Sequence, residues 1–131
     1  MFSIHSIDTG TSLPVEYLPA QEELKPTVGV VLSLTDDMLV ASSEGNREYL
    51  CIAERATPCI AGENIPVVRI RGDIVFETVV EGETVPKMGQ KVALNANATG
   101  VTGAEAENGE FEITWVEEQT DRVIVRGRFV A

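Results

Sequence analysis

The sequence predicts an all-β fold, a small β-barrel or sandwich with an extended N-terminal arm, and three observations carry that expectation. Short runs of Val, Ile, Leu and aromatic residues succeed one another from Val28 to Phe129, Gly, Pro, Asn or Asp punctuates them, and no amphipathic helical periodicity separates them. At 131 residues the chain is long enough for one core that needs neither disulfide nor metal. Residues 1–27 are read as the arm and residues 28–131 as the β-domain.

The arm is rich in Ser, Thr and Pro and ends at Lys25-Pro26. It nonetheless carries Phe2, Ile4, Ile7, Leu13, Val15, Tyr17 and Leu18, too much apolar surface for a solvated tail. Phe2, Ile4, Val15, Tyr17 and Leu18 are therefore candidate assembly contacts, ordered by docking on this domain or on a neighbouring subunit. Next, Val28 to Leu34 and Met38 to Ala41 flank Asp36-Asp37. Pairing them about that turn sets Val30, Leu32, Leu34, Leu39 and Ala41 on one face of a hairpin.

Tyr49 to Ala53 reads as a short strand, with a loop through Pro58 and Gly62 behind it. Val67 to Val80 is β-prone over a length that exceeds an ordinary strand, so Gly72 marks either a hairpin turn or a bulge at a barrel corner. Gly62 and Gly89 each precede polar residues and then an apolar run, the pattern of a strand that starts after a tight turn. The small residues Asn95 to Gly100 suit a loop. In the C-terminal hairpin, pairing about Gln119 sets Ile113 opposite Val125, Trp115 opposite Val123 and Phe111 opposite Gly127. The other face then matches Glu112 with Arg126 and Glu110 with Arg128, each match worth about 0.2–1 kcal/mol. That register places Phe111, Ile113, Trp115, Val123, Val125 and Phe129 in the core.

Charge narrows the function. Twenty-one acidic residues against ten basic ones leave a formal net charge of -11, which disfavours nucleic acid phosphates and anionic membranes as partners. The first residues lack the basic and apolar regions of a signal peptide, and no apolar segment reaches membrane-spanning length, so cytosolic synthesis is expected. Cys51 and Cys59 have no neighbouring His or paired thiols, and they read as free apolar side chains, although their spacing permits a bridge.

The remaining motifs have plainer explanations than chemistry. Arg71-Gly72-Asp73 matches an integrin-type adhesion tripeptide, yet Gly-Asp is ordinary turn chemistry and Arg71 continues a polar alternation begun by Arg69. Asp36-Asp37 and Glu117-Glu118 lack the ligand spacing of a calcium loop. Glu110 and Glu112, imaginable as an acid–base pair, are better explained by the arginines facing them. His5 has no evident partner, and Asn97-Ala98-Thr99 is a glycosylation string without a secretory context. No enzymatic activity, cofactor or metal site is expected.

Pro14 to Ala20, Gly29 to Asp36 and Leu39-Val40-Ala41 resemble small head-decoration, or capsid-stabilising, proteins of phages and prophages of Gram-positive bacteria. The resemblance continues through Ile65 to Ile70, Phe76-Glu77-Thr78, Lys87 to Leu94 and Val123 to Phe129, so it spans nearly the whole chain. Asp36-Asp37 departs from it, since such proteins tend to carry Asn-Gly or Asp-Gly at that turn. The resemblance implies a homo-oligomeric barrel, commonly a trimer, whose N-terminal arm clamps neighbouring subunits of a major capsid protein. It also implies residence on the virion exterior after a cytoplasmic stage. A soluble ligand-binding or adaptor β-barrel acting inside the bacterial cell is the alternative, although the Val, Ile, Leu, Phe and Trp side chains of the strands suit a filled interior.

Overall fold

The computed structural model describes residues 1–8, 14–41 and 47–130, and in them the chain is all-β. Eleven strands occur: β1 (Ser3–Ile7), β2 (Val15–Ala20), β3 (Val31–Thr35), β4 (Met38–Ala41), β5 (Tyr49–Cys51), β6 (Glu63–Arg69), β7 (Ile74–Glu81), β8 (Lys91–Val92), β9 (Val101–Thr102), β10 (Phe111–Glu118) and β11 (Val123–Phe129). They form two sheets. The first runs in the order β1-β7-β11-β10-β8, with β9 parallel to β7. The second is a ring, β2-β4-β3-β5-β6, in which β2 pairs along its length with β6 but meets β4 only at Ala20 and Leu39.

Alternation along the ring strands builds two cores. Leu32, Leu39, Tyr49, Cys51, Ile65 and Val67 point into the ring with Ala20, so all five ring strands contribute to its filling. Their neighbours Val31 and Leu50 point the other way, into a second core shared with Ile74, Phe76, Val92, Phe111, Ile113 and Val125 of the first sheet. Because β5 is covered on both sides, it reads as a continuous apolar run in sequence. The chain's four phenylalanines, Phe2, Phe76, Phe111 and Phe129, meet in this second core with ring centroids 5.1–6.4 Å apart, mostly edge to face.

The first hairpin has the expected register, with Leu34 opposite Leu39 and Leu32 opposite Ala41. Asp36 and Asp37 both adopt positive φ, 50° and 64°, the backbone of a type I′ turn. Gly62 and Gly89, at φ 81° and 88°, lie in the turns that precede β6 and β8.

Four expectations are corrected. The long run from Val67 to Val80 is neither a hairpin nor one bent strand: Gly72 lies in a turn that passes the chain from the ring to the other sheet, and β6 and β7 do not pair. The loop from Asn95 to Gly100 is not wholly peripheral, because Ala98 is fully buried and its carbonyl accepts from Val31 N at 3.0 Å.

Residues 1–27, expected as an extended arm docked on this domain or on a neighbouring subunit, supply two of the domain's own strands: β1 pairs with β7, and β2 with β6. Phe2 anchors β1 in the phenylalanine core, while Phe2 N donates to Gly29 O at 2.9 Å. Gly29 allows this approach, since a Cβ there would stand 2.7 Å from Met1 Cβ and from Phe2 O. Thr78 closes over the same segment by donating to Met1 O at 3.2 Å. Leu13 lies outside the described residues.

The C-terminal hairpin is shifted from its expected register. Phe111 faces Phe129, Glu112 faces Arg128 and Ile113 faces Gly127, then a bulge at Thr114 brings Trp115 opposite Arg126 and Val116 opposite Val125. The bulge turns Trp115 from the core to the outer face, where its ring stacks 4.0 Å from the Arg126 guanidinium. Arg126 is paired with Glu77 of β7 at 2.9 Å, not with Glu112. Val123 is only partly buried at the rim of the core. Phe111 does cover Gly127, diagonally: a Cβ on Gly127 would stand 2.6 Å from the Phe111 ring.

Candidate interaction surface

The five candidate assembly residues separate into two groups once β1 and β2 are placed. Phe2 is 2% exposed in the chain's own core and cannot serve as an outer contact; Leu18 is partly buried against the ring interior. Ile4, Val15 and Tyr17 remain at the surface, at 37%, 48% and 67% exposure. Strand alternation explains the split, because Leu18 and Ala20 face into the ring while Val15 and Tyr17 face out.

Register then extends the outward face. Val15 lies opposite Val68 and Tyr17 opposite Pro66 across the β2–β6 ladder, which makes an apolar strip two strands wide. The strip continues a face whose β3 and β5 part, Val31 and Leu50, is roofed by the first sheet; Val68 is itself buried, and Val15 and Tyr17 are its exposed part. A cleft of 100 Å³ lined by Pro14, Glu16, Val68, Arg69 and Arg71 opens at its Val15 end.

Ion pairs surround that cleft. Arg69 donates to both Glu16 oxygens at 3.3 Å and to Tyr49 Oη at 3.0 Å, with its guanidinium 5.1 Å from the Tyr49 ring centre. Arg71 grips Asp73 with two hydrogen bonds, at 3.1 and 3.2 Å, so the charged ends of the adhesion-like tripeptide are tied to each other. Farther off, Arg55 pairs with Glu63, Arg126 with Glu77 and Arg128 with Asp8. The Arg55 guanidinium, helped by Ile60 N, pulls the Glu63 carboxyl down to about 2. The carboxylates at Glu16 and Asp8 in turn raise Arg69 and Arg128 above the ordinary guanidinium value. Five arginines are thus matched by carboxylates, and the surplus acids lie elsewhere.

The other sequence motifs do not converge with this surface. Among the described residues no group of three or more His, Cys, Asp or Glu side chains could hold a metal ion. Cys51 and Cys59 are free and buried in the ring, and burial raises both thiols above their ordinary value, which works against thiolate chemistry. Glu112 lies opposite Arg128 and Lys91 in the ladder, and the Arg128 guanidinium is paired with Asp8. Sequence reasoning missed the pairing of Val15 with Val68 and of Tyr17 with Pro66, since it read residues 1–27 as separate from the sheet. The alternation of exposed Val15 and Tyr17 with inward Leu18 and Ala20 was the available signal. No family model, curated protein or solved structure matches the chain.

Proposed function

We propose that this protein is a non-enzymatic structural component that decorates or stabilises the capsid of a phage or prophage. The single observation that carries the reading is the exposed Val15–Tyr17 strip on a domain whose two cores are otherwise filled by its own side chains. Among the described residues the ring interior is packed with the domain's own side chains, which supports a role through contact at the outer surface. The resemblance of the sequence to head-decoration proteins implies the class of partner, a major capsid protein, and a position on the outside of the shell. By binding the expanded shell in preference to its precursor, the protein would stabilise it by mass action without any bond being made or broken.

Co-sedimentation with expanded and unexpanded shells built from the capsid protein of the same genome tests this reading. Binding to the expanded form, accompanied by a higher melting temperature of the shell, is the expected result. Absence of binding to both forms overturns it.

A further inference from the structure

We propose that Asn108 is a site of spontaneous covalent modification, converted through a cyclic imide to aspartate and isoaspartate at a rate set by opening of the turn that holds Gly109. The chemistry is intramolecular. The Gly109 main-chain nitrogen gives up its proton and attacks Asn108 Cγ, the Cγ–Nδ2 bond breaks, and ammonia leaves. Water then opens the ring, at Cγ to give aspartate or at the main-chain carbonyl carbon to give isoaspartate. Nothing is oxidised or reduced.

Sequence and structure together select this residue from the chain's five asparagines. Asn108 alone precedes a glycine, whose missing side chain leaves the attacking nitrogen uncrowded, whereas the others precede Arg47, Ile65, Ala96 and Ala98. It is exposed in a turn beside exposed Glu107, so its carboxamide stands in water. Asn64 lies within β6, ahead of the β-branched Ile65. Asn95 has both ends of its carboxamide held, with Oδ1 accepting from Thr99 N at 3.0 Å and Nδ2 donating to Thr99 Oγ1 at 3.1 Å. Asn97 precedes the fully buried Ala98, whose nitrogen donates to Asn95 O at 3.1 Å. Asn46 lies outside the described residues.

The same turn restrains the reaction while the chain is folded. Gly109 N donates to Ala106 O at 3.0 Å and Ala106 N to Lys91 O at 2.9 Å, so the attacking nitrogen is engaged and its turn is tied to β8. Gly109 is buried, and a Cβ there would stand 2.8 Å from Lys91 C and from Val92 N. Packing therefore demands glycine at 109 and keeps the labile dipeptide in the sequence, while local opening of the turn frees the nitrogen to react. Either product adds a carboxylate to a segment that already carries Glu105, Glu107 and Glu110. Isoaspartate also adds a methylene to the main chain, next to the residue that has no slack against β8.

Peptide mapping by mass spectrometry of the full-length chain, kept folded for several weeks at mildly alkaline pH, tests the proposal, with isoaspartate detected by a protein isoaspartyl methyltransferase. A parallel sample is held in urea above the unfolding midpoint, and Asn108→Gln is carried beside the wild type. In the folded wild type, the mass gain from replacing an amide by a carboxyl should appear first at Asn108, with the methyl acceptor in the same peptide. Asn108→Gln should lack both, and conversion of the wild type in urea should be about tenfold faster or more. An Asn108 that stays intact in the folded chain, or that converts after another asparagine, overturns the site. Equal rates at Asn108 in the folded and urea samples overturn the control by the turn.

Discussion

Phe2 and Trp115 exchange the roles their positions in the sequence suggest. Phe2, one residue from the terminus, is packed among Phe76, Phe111 and Phe129, whereas Trp115, in the middle of an apolar strand, stacks on Arg126 at the outer face. Phe2→Ala should therefore destabilise the domain by about 3–5 kcal/mol, the cost of an aromatic cavity. Trp115→Ala should cost about 1–2 kcal/mol, for a half-exposed ring and one cation–π contact. Urea unfolding of the two variants measures both, and a larger loss at Trp115 than at Phe2 would contradict the packing. At the tip of the first hairpin, Asp37 holds φ 64°, a conformation that costs a residue with a Cβ and suits glycine. Asp37→Gly should raise stability by about 0.5–1 kcal/mol in the same assay, the relief of strain exceeding the added freedom of the unfolded chain.

Glu63 sets the acid behaviour of this chain at a named residue. Its carboxyl is held at about 2 against an ordinary 4.5, chiefly by the Arg55 hydrogen bond. A depressed carboxyl contributes stability that is present above 4.5 and is lost as the pH falls towards 2. Glu63→Gln keeps an oxygen for Ile60 N, which donates to Glu63 Oε1 at 3.2 Å, but removes the titration. The difference in stability between wild type and Glu63→Gln should therefore shrink as pH falls from 4.5 to 2, and should shrink with added salt because the pair lies near the surface. A difference that is constant across that interval would exclude the linkage.

Among the elements, the first hairpin was legible from sequence because one turn and one alternating face suffice to specify it, and Leu34–Leu39 and Leu32–Ala41 pair accordingly. The second was not, because its register depends on a bulge. Charge matching favoured Glu112 with Arg126, but Thr114 takes an extra place in β10 and its hydroxyl donates to Arg126 O at 3.2 Å, which leaves Glu112 facing Arg128. Arg126 reaches Glu77 on β7, a strand 49 residues away in sequence and invisible to any local pairing argument. The placement of β1 escaped for the same reason, since nothing near Phe2 in the sequence announces three phenylalanines from β7, β10 and β11. Double-mutant cycles separate the two registers: Glu77→Gln with Arg126→Met should show coupling of about 0.5–1 kcal/mol, and Glu112→Gln with Arg126→Met almost none. Equal coupling in both cycles would favour the simpler hairpin.

At the scale of the whole molecule, the two cores are separate in composition but share their walls. Val31 and Leu50 stand in the core between the sheets while their immediate neighbours Leu32, Tyr49 and Cys51 fill the ring, so neither core can open without exposing the other. Val30 packs against both, and Val31 N is bonded to the Ala98 carbonyl across the junction. The chain should therefore unfold as one cooperative unit, in spite of its division into a sheet and a ring. Natural probes report on each side: Trp115, the chain's one tryptophan, lies on the sheet, and the thiols of Cys51 and Cys59 are buried in the ring. Tryptophan fluorescence and pulsed thiol labelling, followed through the same urea titration, should give coincident midpoints. Thiols that become reactive at a lower urea concentration than the fluorescence change would mean that the ring opens alone, and would divide the molecule into two units at the Gly72 turn.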